Sequence, residues 1–131
     1  MMLCFDDKYL SPYKLPAGVI KGYIHDAGQP TTHFNVLRER GIDPRRVIID
    51  EAAPIYHVGV SANYPPMMFI VSDDDMINRY EQTQLVLSTL KHFEYDKNKI
   101  YYKLMSGTHC HYSETIELGE IICKFIKEIR L

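Results

Sequence analysis

Three short stretches of the chain concentrate groups that exchange protons or attack carbonyls: His25-Asp26, Ser72-Asp73-Asp74-Asp75 and Gly107-Thr108-His109-Cys110-His111-Tyr112. The most informative combination is an aspartate from the second stretch with a histidine from the third. A buried carboxylate hydrogen-bonded to one ring nitrogen fixes the tautomer and stabilises the imidazolium, which leaves the other nitrogen as a base toward a nucleophile. The competing reading has the aspartates capping the next helix and the histidines standing in surface loops. Two further chemistries fit less well. His109-Cys110-His111, with His25, Asp26 and His33, offers zinc-type ligands, but no C-x-x-C and no H-x-x-x-H spacing occurs. Cys110 puts a thiol beside an imidazole, yet successive residues of an extended chain point to opposite sides. That makes Cys110 a small loop cysteine by expectation.

Each stretch ends a segment that reads as a β-strand. The first is Gly18-Val19-Ile20-Lys21-Gly22-Tyr23-Ile24, closed by Asp26-Ala27-Gly28. The second, Met67-Met68-Phe69-Ile70-Val71, is an unbroken apolar run of the kind that suits a strand covered on both faces. The third, Lys99-Ile100-Tyr101-Tyr102-Lys103-Leu104-Met105, stops at Ser106-Gly107. Helices are expected between and after them. One starts at Asp43-Pro44 and carries Val47, Ile48 and Ala52 on one side. A second runs from about Tyr80 to Phe93 with Thr83, Val86, Leu87 and Leu90 on a common face. The third places Leu118, Ile121, Ile122, Phe125, Ile126 and Ile129 at helical spacing, with Ser113 as N-cap and Lys124, Lys127 and Arg130 toward its C-terminal end. Residues 34–41 read as a short helix over the site or as a surface turn ended by Gly41. Asp26 reads either as a pocket wall or as part of a turn.

Strands alternating with helices define an α/β fold with a parallel sheet and right-handed crossovers. In such sheets ligand sites gather beyond the carboxyl ends of the strands. Neighbouring strands lie about 4.8 Å apart, so short loops from adjacent ends can join a carboxylate to an imidazole.

Taken together, Pro65-Pro66-Met67-Met68-Phe69-Ile70-Val71-Ser72-Asp73-Asp74-Asp75, then Glu81-Gln82 on an amphipathic helix, a further strand, and Gly107-Thr108-His109 resemble the carboxyl-terminal half of α/β-hydrolase esterases. The likeness is to the small esterase/lipase group related to carbohydrate-ester and feruloyl esterases. The segment 50–58 resembles that group's short helix before the acid-bearing strand, so the similarity runs from about Ala17 to the end of the chain. It implies about three parallel strands of a partial α/β-hydrolase fold and the Asp and His of a Ser-His-Asp triad. Asp75 matches the triad acid best, since a hydrophobic pair, Met76-Ile77, follows it; Asp73 comes next and Asp74 last. His109 is preferred for the base, with His111 two residues on as the alternative. The implied reaction is hydrolysis of a carboxylic ester, with a small-molecule ester as partner and no cofactor or metal.

The chain departs from that family in its nucleophile. The hydrolase serine sits on a G-x-S-x-G turn between strand and helix, and no such sequence occurs here. Ser61 in Gly59-Val60-Ser61-Ala62-Asn63 lacks the last glycine and enters a strand rather than leaving one, which excludes it. Met1-Met2-Leu3-Cys4-Phe5 resembles the tail of the helix after the nucleophile turn, so the serine is expected upstream and the chain alone is expected to be inactive. A first strand without its family neighbour would leave an open sheet edge that invites a second copy of the chain. The alternative is a truncated or degenerate relative that acts only by association.

Composition agrees with a single domain spanning residues 1–131. The chain is 46% hydrophobic and 24% charged, which excludes a disordered or collagen-like polymer. Fifteen Lys and Arg against seventeen Asp and Glu give a net charge of −2, so no nucleic-acid partner is expected. The stretch Pro65–Val71 is far shorter than the roughly 18 residues a membrane span needs. The amino terminus turns acidic at Asp6-Asp7 before a signal core can form. Three cysteines, Cys4, Cys110 and Cys123, make no disulfide framework. A soluble, reduced, cytoplasmic domain is the expectation.

Overall fold

A computed structural model describes residues 1–15, 19–59 and 63–130. Its centre is a three-stranded, all-parallel open sheet flanked by helices, in the order β1 (Tyr23–Asp26), β2 (Met67–Asp74), β3 (Ile100–Thr108). The helices are α1 (Met2–Phe5), α2 (Phe34–Glu39), α3 (Arg79–His92) and α4 (Ile116–Ile129), with short 3-10 turns between them.

The middle strand explains the architecture. Side chains alternate across a strand, so Met67 and Phe69 face one way and Met68 and Ile70 the other. Met67 and Phe69 join Cys4, Phe5, Val86 and Leu90 in a core beneath α1 and α3. Met68 and Ile70 join Met105, Tyr112, Leu118 and Phe125 in a second core beneath α4. Because both faces are covered, neither can be polar, and the run is apolar throughout. Each of these large side chains contributes about 1.5–3 kcal/mol by leaving water.

Four expectations are corrected. The first strand covers residues 23–26 rather than 18–24; residues 19–22 are not strand, and Gly18 lies outside the described residues, as does Ser61. The second and third strands run on, to Asp74 and Thr108, so Ser72, Asp73 and Gly107 are strand residues. The helix expected from Asp43-Pro44 does not form. The Asp43 carboxylate instead accepts the Arg45 backbone N–H (3.0 Å) and clamps its guanidinium (2.7 Å), a local turn that competes with helix. Thr32 then donates its N–H to Ile48 O (2.8 Å), and the run Val47-Ile48-Ile49 is neither helix nor strand. The last helix begins later than Ser113. Thr115 is its N-cap, its hydroxyl oxygen accepting the Leu118 N–H (3.3 Å), while Ser113 belongs to the turn that carries the chain out of β3.

On α3, Thr83, Val86 and Leu90 are buried and Leu87 is half-buried; on α4, Leu118 and Phe125 are buried but Ile126 is exposed. Residues 34–39 form a helix with Gly41 beyond it at φ +71°. Strand β1 pairs only with β2 among the described residues, which leaves its other side open. No described helix is long and apolar enough to cross a membrane.

Candidate active site

At the carboxyl ends of β2 and β3 the chain builds one polar cluster from the bottom up. The Ser72 hydroxyl donates to Thr108 O (2.9 Å), and the Gly107 N–H donates to the Asp73 carboxylate (2.9 Å). These two cross-strand contacts fasten the end of β3 to the end of β2. Gly107 sits at φ +106°, a backbone conformation that a residue with a Cβ reaches only under strain. Beyond β2 the Asp75 side chain folds back on its own strand. One oxygen accepts the Ser72 N–H (3.0 Å) and the other the Met76 N–H (2.8 Å).

Into this arrangement the turn after Gly107 delivers His109. Its Nδ1 lies 2.7 Å from Asp75 Oδ1. The aspartate side chain is 0% exposed and the imidazole 36%, so the carboxylate is sealed while the ring is partly open to water. Burial pushes the Asp75 carboxyl up, but the N–H donors of Ser72 and Met76 and the neighbouring His109 outweigh it and hold the group below its usual value. The charged carboxylate then favours the tautomer with hydrogen on Nδ1, and Nε2 carries the lone pair.

The remaining candidates have other partners. Asp73 is held by Gly107, and Asp74 stands exposed at the end of β2. His111 lies against Gly107, where an added Cβ would come within 3.1 Å of its ring. Asp26 accepts a short hydrogen bond from the Tyr112 hydroxyl. His25 and Asp26 do not follow the first strand but lie within it. His25 therefore turns inward and packs on Phe69 (4.8 Å between centroids), Phe5 and Tyr23, and burial lowers its pKa to about 3. His33 caps α2 by accepting the Asn35 N–H (3.2 Å). Among the described residues no three His, Cys, Asp or Glu side chains are grouped as metal ligands.

Cys110 needs a correction of geometry. It adopts φ +55°, so the chain is not extended there, and its Sγ comes to 3.6 Å from His109 Nε2. The thiol faces the nitrogen that was expected to be out of its reach. Burial pushes the thiol up, as do the carboxylates of Asp26 and Asp75, against the opposing pull of Arg79. It is held as S–H, a weak donor to Nε2 rather than a thiolate.

Sequence reasoning missed Arg79, which is buried and donates to Ala27 O through a short hydrogen bond. It also missed Gln82, whose side-chain oxygen accepts the Thr31 hydroxyl (3.0 Å). The signal was present: Arg79 and Gln82 extend the stripe of Thr83, Val86 and Leu90 by one helical turn. No family model matches the chain, and no curated protein or solved structure matches it.

Proposed function

We propose that this chain provides the acid and the base of a Ser-His-Asp triad in a carboxylic ester hydrolase of α/β-hydrolase type. The single observation that carries the reading is the contact between the sealed Asp75 carboxylate and Nδ1 of the partly exposed His109 imidazole, which leaves Nε2 unclaimed by the carboxylate. In the reaction, Nε2 takes the proton of a serine hydroxyl as its oxygen bonds to the ester carbonyl carbon. Asp75 stabilises the resulting imidazolium. His109 then returns the proton to the departing alcohol as the C–O bond breaks, leaving an acyl-serine. Water repeats the sequence and releases the acid. The serine is supplied by sequence outside these 131 residues, since no G-x-S-x-G turn lies within them.

A second reading, association without turnover, is favoured by the open side of β1. Leu3 and Val19 are exposed and stand with Tyr23 around one shallow depression, and Ile24 on β1 is also exposed. A second copy of the chain is the partner such an edge invites.

The test is hydrolysis of 4-nitrophenyl acetate by two proteins. The 131-residue chain should be no faster than its His109→Ala variant. A protein extended by the reading frame upstream of Met1, carrying a G-x-S-x-G turn, should hydrolyse the ester and lose on the order of 10⁶-fold in kcat with His109→Ala. Turnover by the short chain that depends on His109, or an extended enzyme indifferent to His109, would overturn the proposal. An upstream frame with a stop codon or no serine turn would favour association.

A further inference from the structure

Beside the turn that follows Asp75 the chain forms a half-open cavity of about 600 Å³, within the range that small-molecule sites occupy. It is assembled from four separated segments: Gln29, α2, residues 44–47, and the stretch from Met76 into the first turn of α3. Met76, whose N–H is bound by Asp75, forms part of its wall, so the cavity begins one residue beyond the carboxylate.

Its lining has three parts, of which Gln29, Asn78 and Gln82 make the neutral polar one. Phe34, Pro44, Val47, Met76 and Ile77 make an apolar body. The charged groups are Arg38, Arg45, Arg46 and Arg79, and no Asp or Glu lines the cavity. Four guanidinium groups around one cavity stand out in a chain of net charge −2. Two of them are committed elsewhere: Arg45 to Asp43 (2.7 Å) and Arg79 to Ala27 O. Arg38 makes only a neutral contact, to the Asn35 side-chain oxygen (3.0 Å), and lies over the Phe34 ring. Neither Arg38 nor Arg46 has a carboxylate within salt-bridge distance among the described residues.

We propose that this cavity binds a small organic carboxylate with an apolar body, its anionic end on Arg38 and Arg46 and its body against Phe34, Val47 and Met76. Guanidinium groups recognise carboxylates through paired N–H donors, and the apolar walls select an organic acid over a bare inorganic anion. This rests on the esterase reading in one respect: the ester cleaved at His109 then carries a free carboxylate on the part held in the cavity.

The experiment titrates the 131-residue chain with cinnamate and follows the Met76 methyl and the Arg38 and Arg46 side chains by NMR. Methyl cinnamate serves as the neutral probe and inorganic phosphate as the bare anion. Saturable binding of cinnamate is expected, with methyl cinnamate and phosphate each at least about tenfold weaker. Arg38→Gln and Arg46→Gln are each expected to weaken cinnamate about tenfold, the loss of one charge-assisted pairing. Both residues are exposed, and an unchanged amide spectrum away from the cavity will confirm that the variants fold. No binding of cinnamate, equal binding of methyl cinnamate, equal binding of phosphate, or indifference to both arginine variants would overturn the proposal. The readout needs no serine. A failure here refutes the ligand class, whereas a failure of His109-dependent turnover refutes the triad.

Discussion

Replacing Asp75 by Asn removes one charge and almost no volume, and its consequences can be worked out atom by atom. Three donors converge on the carboxylate: the Ser72 N–H at 3.0 Å, the Met76 N–H at 2.8 Å and His109 Nδ1 at 2.7 Å. An amide has one oxygen. If that oxygen stays between Met76 and His109, the new NH2 faces the Ser72 N–H, donor against donor, where the side chain is sealed from solvent. If it flips, Ser72 is satisfied but Met76 is not, and His109 must present a bare Nδ1 and move its hydrogen to Nε2. A buried donor without a partner costs about 1–3 kcal/mol, and a charge-assisted hydrogen bond contributes about 1.5–3 kcal/mol. With the second contribution taken at its low end, the variant should therefore lose about 2.5–4.5 kcal/mol of stability, read as a lower urea midpoint. The imidazole is one-third open to water, so only the low end, about 1.5 kcal/mol, is assigned to the tautomer, a bias of about tenfold. Side-chain nitrogen NMR at about pH 9, above ordinary imidazole titration, should show Nε2 without hydrogen in the natural chain and a shift toward the Nε2–H form in Asp75→Asn. An Nε2–H tautomer in the natural chain, or a variant unchanged in both measurements, would refute the assignment of His109 as a base oriented by Asp75.

Other consequences follow from burial. His25 has a folded pKa of about 3 against 6.5 unfolded. The unfolded chain therefore binds the extra proton first, and stability present above pH 6.5 falls as pH drops, by about 2 kcal/mol at pH 5. His25→Phe should flatten urea midpoints between about pH 6.5 and 4.5, a window above ordinary carboxylate titration; an unchanged slope would contradict the burial of His25. Iodoacetamide should modify exposed Cys123 first, Cys110 more slowly because its thiol is raised, and buried Cys4, pushed up to about 12, only on unfolding. Mass spectrometry that finds Cys110 modified ahead of Cys123 would mean a thiolate beside His109. Sedimentation at high concentration should give a species larger than the 15.3 kDa chain, with Ile24→Lys shifting it toward monomer; a stable monomer would count against pairing at β1.

What local pattern encodes was readable without coordinates. Burial on both faces explains the unbroken apolar run Met67 to Val71, and the 3.6-residue period places Leu118 and Phe125 on the inner face of α4. The rule that polar groups collect beyond the ends of parallel strands directs attention to residues 72–75 and 107–112. Element ends were less legible. Ser72, Asp73 and Gly107 look like loop residues by type, yet they stay in strands because side-chain contacts across β2 and β3 hold them there. At Asp43 a side-chain clamp on Arg45 displaced a helix that the Asp-Pro signal favours.

The choice among Asp73, Asp74 and Asp75, and between His109 and His111, belongs to the tertiary structure. Those residues differ in sequence by one or two positions, a spacing that says nothing about which side chain folds back on Ser72. The decision comes from a strand irregularity between Ser72 and Asp74 and from backbone turns at Gly107 and Cys110. The same turns brought the Cys110 thiol to His109, against the alternation an extended chain would follow. The arginine cavity lies further still from any local signal, since its walls come from segments some forty residues apart. Periodicity records which side of an element meets the core; the meeting of distant side chains depends on how the elements pack, and only the folded chain contains that information.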